Sequence, residues 1–130
     1  MNQNNIISAS CLLLTVAKSD EKIDTKELNI IKEIIIDFFN IKYEDVEYII
    51  EKSKKIISDS FDIFEFGRDL NKVFSYQDKI DFICCTFEVA YIDKKLHYLE
   101  EYSIKKIASI LNVKHTDLIN SKNEIKKYLD

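Results

Sequence analysis

The sequence predicts an all-α fold in a single domain, and three observations predict it. The 130 residues contain one glycine, Gly67, and no proline. Sandwiches and barrels need glycine- and proline-rich turns, so that count argues against them. Hydrophobic residues make up 46% and charged residues 32% of the chain, a globular balance rather than a disordered one. Apolar positions recur at helical spacing from end to end.

The first predicted helix, about 5–19, is apolar on nearly every side (Ile6, Ile7, Cys11, Leu12, Leu13, Leu14, Val16). Such a helix belongs at the centre of a core. The second, 25–39, carries Leu28, Ile31, Ile34, Ile35 and Phe38 as one stripe. Asp24 and Glu27 read as its capping box. The third, 43–58, shows Val46, Ile49, Ile50, Ser53 and Ile57 on one face. An irregular stretch, 59–74, suggests a short helix around Arg68, with Gly67 near its start or in a bend. Ser75 reads as an N-cap with Asp78 at N3, opening a second central helix to about 92. A further helix runs over 98–111. A last one starts near Thr116 and is expected to break near 121–123.

A shift of 73 positions lays the chain over itself. Val16-Ala17-x-x-Asp20-x-Lys22-Ile23-x-x-x-Glu27 falls on Val89-Ala90-x-x-Asp93-x-Lys95-Leu96-x-x-x-Glu100. Of the 24 positions in 16–39, eight equal their mates in 89–112. The expected architecture is about seven helices: two pseudo-symmetric three-helix halves, 5–57 and 78–130, packed around two central apolar helices within one domain, 1–130.

The repeated acids are the candidate site. Each copy puts an aspartate where one helix ends and a glutamate one turn into the next. Acids there sit in the favourable field of a helix N-terminus. Hard cations such as Ca²⁺ or Mg²⁺ take several carboxylate and carbonyl oxygens. Asp20, Glu27, Asp93 and Glu100 are therefore candidate metal ligands, and capping and turn roles explain the same residues without a metal. An EF-hand is excluded, because its loop positions 1 and 6 would be Val16 and Glu21 in one copy and Val89 and Lys94 in the other. His97 replaces Asp24 in the second copy, as a weak N-cap or an exposed residue. A di-iron site is excluded, since only a reversed His97-x-x-Glu100 occurs.

Other classes are bounded as well. The net charge of −4 and the single arginine, Arg68, argue against nucleic acid. A glycine-rich phosphate cradle needs at least two glycines. Cys11, Cys84 and Cys85 form no framework or zinc spacing and read as small buried hydrophobes. The apolar run at 11–17 is too short to span a membrane, and no leader pattern is evident, so the expected place is the cytoplasm. No GxSxG or Ser/His/Asp arrangement is evident, and no enzyme is expected.

At the repeated residues the chain resembles the TerB-like family: tellurite-resistance proteins and relatives that include the membrane-anchored DnaJ-like co-chaperone DjlA. The resemblance rests on Leu13-Leu14-x-Val16-Ala17-x-x-Asp20-x-x-Ile23-Asp24-x-x-Glu27 and on Val89-Ala90-x-x-Asp93-x-x-Leu96-x-x-x-Glu100, and extends to Ile107-Ala108-x-x-Leu111-Asn112-Val113. It implies a pseudo-symmetric helical fold and a divalent-metal site at Asp20, Glu27, Asp93 and Glu100, with Asp24 as a further ligand. It also implies a non-catalytic stress-response role with protein partners, membrane-linked complexes among them; a homodimer stays open. The family keeps Asp-Gly at the helix end, where this chain has Asp20-Glu21 and Asp93-Lys94. No DnaJ domain or anchor is read, so the co-chaperone role is not carried over. Two other readings stand beside this one. One is a metal-free helical interaction domain using Ile36/Phe39 or Phe61–Phe66. The other is a metal-assisted hydrolase.

Overall fold

The computed structural model describes residues 2–18, 23–59, 62–92 and 96–129. Among them are seven helices and no strand: α1 (Gln3–Ala17), α2 (Thr25–Phe39), α3 (Tyr43–Asp59), α4 (Ile63–Asn71), α5 (Tyr76–Ala90), α6 (Tyr98–Ile110) and α7 (His115–Leu129). Helix α1 is buried from Asn5 to Leu14 and packs against α2, α3, α4, α5 and α6. Helix α5 packs against α1, α2, α6 and α7.

The packing repeats by halves. The pairs α1–α2 and α1–α3 have their mates in α5–α6 and α5–α7. The cross-pairs α1–α6 and α2–α5 exchange with each other, as a two-fold relation requires.

The caps repeat as well. Asn2 and Asn5 close a capping box on α1, and Ser75 and Asp78 close one on α5 at positions 73 later. Asp24 with Glu27, and His97 with Glu100, stand at the starts of α2 and α6 in the same register. Two residues have positive φ, Asn40 at 54° and Asn112 at 60°. Each follows a helix as a left-handed cap, a conformation asparagine tolerates well. In both places the next amide reaches back five residues, Ile41 to the Ile36 carbonyl at 3.2 Å and Val113 to the Ala108 carbonyl at 2.9 Å. These asparagines are 72 apart, so the second copy has lost one residue near the end of α6. The matching words are Asn40-Ile41-Lys42 and Asn112-Val113-Lys114.

Three local expectations are corrected. Helix α7 runs unbroken through 121–123. Ser121 is buried there, and its hydroxyl donates to the Asp117 carbonyl at 2.8 Å, so the polar stretch stays helical. Gly67 lies inside α4, buried, where a Cβ would fall on Ile110 Cγ2 and 3.2 Å from Ile110 Cβ. The lone glycine serves a close helix crossing between α4 and α6, not a bend. Third, the cysteines differ: Cys11 is fully buried, while Cys84 and Cys85 are only half-buried. Burial pushes the Cys11 thiol up to about 11 and the Cys85 thiol up to about 12.

Among the described helices, α4 has no counterpart in the second half. It packs on α1 and α6 with Phe66, Gly67 and Leu70 buried, and polar contacts fasten it there. Asn5 Nδ2 and Ser8 Oγ donate to Asp69 Oδ2 at 3.0 and 2.8 Å. Asn71 Nδ2 donates to the Ile110 carbonyl at 2.9 Å, and Lys106 Nζ stands 5.7 Å from the centroid of the Phe64 ring.

Candidate functional site

The acid turns are built from local chemistry. Ile23 and Leu96 anchor each turn against the core just before the cap. At α2 the Glu27 amide donates to Asp24 Oδ1 at 2.8 Å, and the Asp24 amide donates to Glu27 Oε1 at 3.2 Å. At α6 the His97 amide donates to Glu100 Oε1, also at 3.2 Å. Asp24 and His97 are exposed, whereas Glu27 is 5% and Glu100 2% exposed. A carboxylate carries a large desolvation cost at such burial unless it is compensated. The helix N-terminus and the capping amide supply part of that compensation.

Two of the four expected ligands, Asp20 and Asp93, lie outside the described residues. Among the described residues, no three His, Cys, Asp or Glu side chains gather as a metal-holding group. The donor chemistry that remains is carboxylate oxygen at the two glutamates, the donor type that Ca²⁺ and Mg²⁺ take.

A second group of acids was not legible as a site in the sequence. Residues Asp81, Cys84, Cys85 and Glu88 recur at i, i+3, i+4 and i+7 on α5. That stripe leaves one face of the helix open: Asp81 is exposed and the other three are half-buried. A cavity of about 270 Å³ lies between α2 and α5, lined by Ile30, Glu33, Ile34, Asp37, Cys85 and Glu88. Another of about 330 Å³ lies between α5 and α7 and shares Glu88. Burial, and then the nearby Asp37 charge, raises the Glu88 carboxyl above its ordinary value. The only sequence sign was polar residues at helical spacing on an otherwise apolar helix.

The apolar candidates divide. Phe66 is buried and Phe64 is 49% exposed. Phe61 lies outside the described residues. Ile36 and Phe39 are half-buried, with the Phe39 ring stacked on Phe74 at 6.4 Å. No helix among the described residues is long and apolar enough to cross a membrane.

Fold and repeat together define a pseudo-symmetric helical module with a duplicated acid turn. The family model described as tellurite resistance protein TerB matches residues 7–123, and the chain belongs to that family. It is thus a helical module of the tellurite-resistance type, in a family that is in general non-catalytic. No curated protein and no solved structure matches the chain.

Proposed function

We propose that this chain is a cytoplasmic binding and scaffold module of a stress-response system, holding protein partners and using its acid turns to take up a divalent cation. The observation that carries the cation reading is the matched burial of Glu27 and Glu100 at equivalent helix starts. A capping glutamate gains little from being buried, since its hydrogen bond forms equally well at the surface. Two carboxylates buried at the same point of both copies would give a hard cation the same oxygen donor in each half. In this reading Glu27 pairs with Asp20 in the first copy and Glu100 with Asp93 in the second. Oxygen donors of this kind select Ca²⁺ or Mg²⁺ over Zn²⁺. A cation there would clamp the end of each central helix to the start of the next and fix the angle between them.

Calorimetric titration of the purified chain with Ca²⁺, Mg²⁺, Mn²⁺ and Zn²⁺ tests this. Saturable heat with Ca²⁺ or Mg²⁺, lost in the Asp20→Asn/Asp93→Asn double variant, is expected. No heat with any of the four ions would leave the acids as caps only and reduce the reading to a metal-free interaction module.

A further inference from the structure

Among the described helices, none takes the two-fold counterpart of the α4 seat. Helix α4 covers a face formed by α1 and α6. Its two-fold mate would cover the corresponding face of α5 and α2, and none of the described helices occupies that place. Moved by 73 positions, residues of α1 and α6, among them Lys106 and Ile110 that touch α4, become the residues that line the α2–α5 cavity. Lys106, Ile107 and Ile110 map to Glu33, Ile34 and Asp37, and Leu12 and Thr15 map to Cys85 and Glu88. The burial follows the cover. Leu12 is fully buried and its mate Cys85 is half-buried; Ser8 is buried and its mate Asp81 is exposed.

The polarity of the seat is reversed. Where Lys106 stands over the Phe64 ring, the open face has Glu33. Where Ile110 meets Gly67, it has Asp37. Where Ser8 donates to the Asp69 carboxylate, α5 has Asp81, held by Gln77 Nε2 at 2.9 Å beside the neighbouring α5–α7 cavity. The cavity floor stays apolar, with Ile30, Ile34 and Phe38, and no lysine or arginine lines it.

From this we infer that the α2–α5 groove is a docking site for a short amphipathic helix of a partner protein, apolar on one side and carrying lysine or arginine where α4 carries Asp69. The inference rests on the binding-module reading and names its surface and the chemistry of its partner. A second copy of this chain is a poor occupant, because its own α4 would bring Glu65 and Asp69 against the acids. A basic helix also relieves the repulsion between Asp37 and Glu88.

The test uses the ¹⁵N-labelled full chain and two peptides spanning 62–71, one unaltered and one carrying Glu65→Lys and Asp69→Lys. Both peptides bear the same cost of forming a short helix, so their difference reports charge. The lysine peptide is expected to shift the amides of Ile34, Asp37, Cys85 and Glu88. It should bind at least about tenfold more tightly than the unaltered one at low salt. Asp37→Lys and Glu33→Lys, both exposed at the groove, should each weaken it by about tenfold while leaving the protein's spectrum folded. Equal affinity for both peptides, indifference to the charge reversals, or no binding would overturn the inference. So would self-association that perturbs this groove. Shifts that cluster elsewhere would overturn the groove while leaving the binding-module reading intact.

Discussion

The Ser8 hydroxyl lies 2.8 Å from Asp69 Oδ2, and this bond ties α4 across the first turns of α1. Asn5 Nδ2 joins it at 3.0 Å on the same oxygen. Both donors are buried, so the carboxylate satisfies two groups that would otherwise be stranded. Asp69→Ala should therefore lower stability by about 1–3 kcal/mol in urea denaturation. Removing the donors together with the acceptor, in Ser8→Ala/Asp69→Ala, should cost less than the sum of the two single changes.

The crossing of α4 and α6 at Gly67 and Ile110 gives a second expectation. Alanine is the better helix former by about 1 kcal/mol, but overpacking a tight site typically costs about 1–3 kcal/mol. Because the new Cβ would fall on the branched Cγ2 of Ile110, packing decides the sign. Gly67→Ala should destabilise by about 1 kcal/mol, and Ile110→Ala should cost less in that background than in the native chain.

At the acid turns, each glutamate accepts the amide of its own cap residue. Glu27→Ala and Glu100→Ala should each cost about 1–2 kcal/mol without any added cation, since a capping partner and a buried group are both lost. If the cation reading holds, saturating Ca²⁺ or Mg²⁺ should raise the melting temperature of the native chain and not that of the double variant Glu27→Gln/Glu100→Gln. Thermal melts with and without chelator separate the two effects.

Glu88 provides a pH test. Its carboxyl is raised first by burial and then by Asp37. The folded state thus holds this proton more tightly than the unfolded state. The stability linked to it is present at low pH and is lost as pH rises through the raised value. Glu88→Gln should then raise the melting temperature at pH 7 and change it little near pH 3.5. A variant less stable than the native chain at pH 7 would show that the charged carboxylate is supported in the groove.

Much of this fold is written in short-range chemistry. Asp24 with Glu27, and Ser75 with Asp78, announce their helix starts because a cap bond needs only residues three apart. The start of α2 falls where that box puts it. The continuity of α7 was hidden, because the Ser121 hydroxyl is satisfied by a carbonyl one turn back, and its burial depends on packing. The slip from 73 to 72 was missed in the sequence and emerges from the backbone, where Asn40 and Asn112 both take the left-handed cap. The α2–α5 groove was not visible. Glu33 and Asp37 lie on one helix and Cys85 and Glu88 on another, and only the tertiary fold turns two solvated-looking faces into one cavity. The role of Gly67 likewise depends on a residue 43 positions away.

Helix α1 is buried from Asn5 to Leu14, while its mate α5 keeps one face open. Cys11 on α1 and Cys84 on α5 are equivalent residues, 73 apart, and they report on it directly. The native protein is treated with iodoacetamide at pH 8.5, and the rate at each cysteine is read by mass spectrometry. Cys84 should be alkylated at least about a hundredfold faster than Cys11, whose thiol is enclosed and raised to about 11. Equal rates, or a Cys84 as protected as Cys11, would mean that the polar stripe of α5, where Cys84 lines the α5–α7 cavity, is closed in solution.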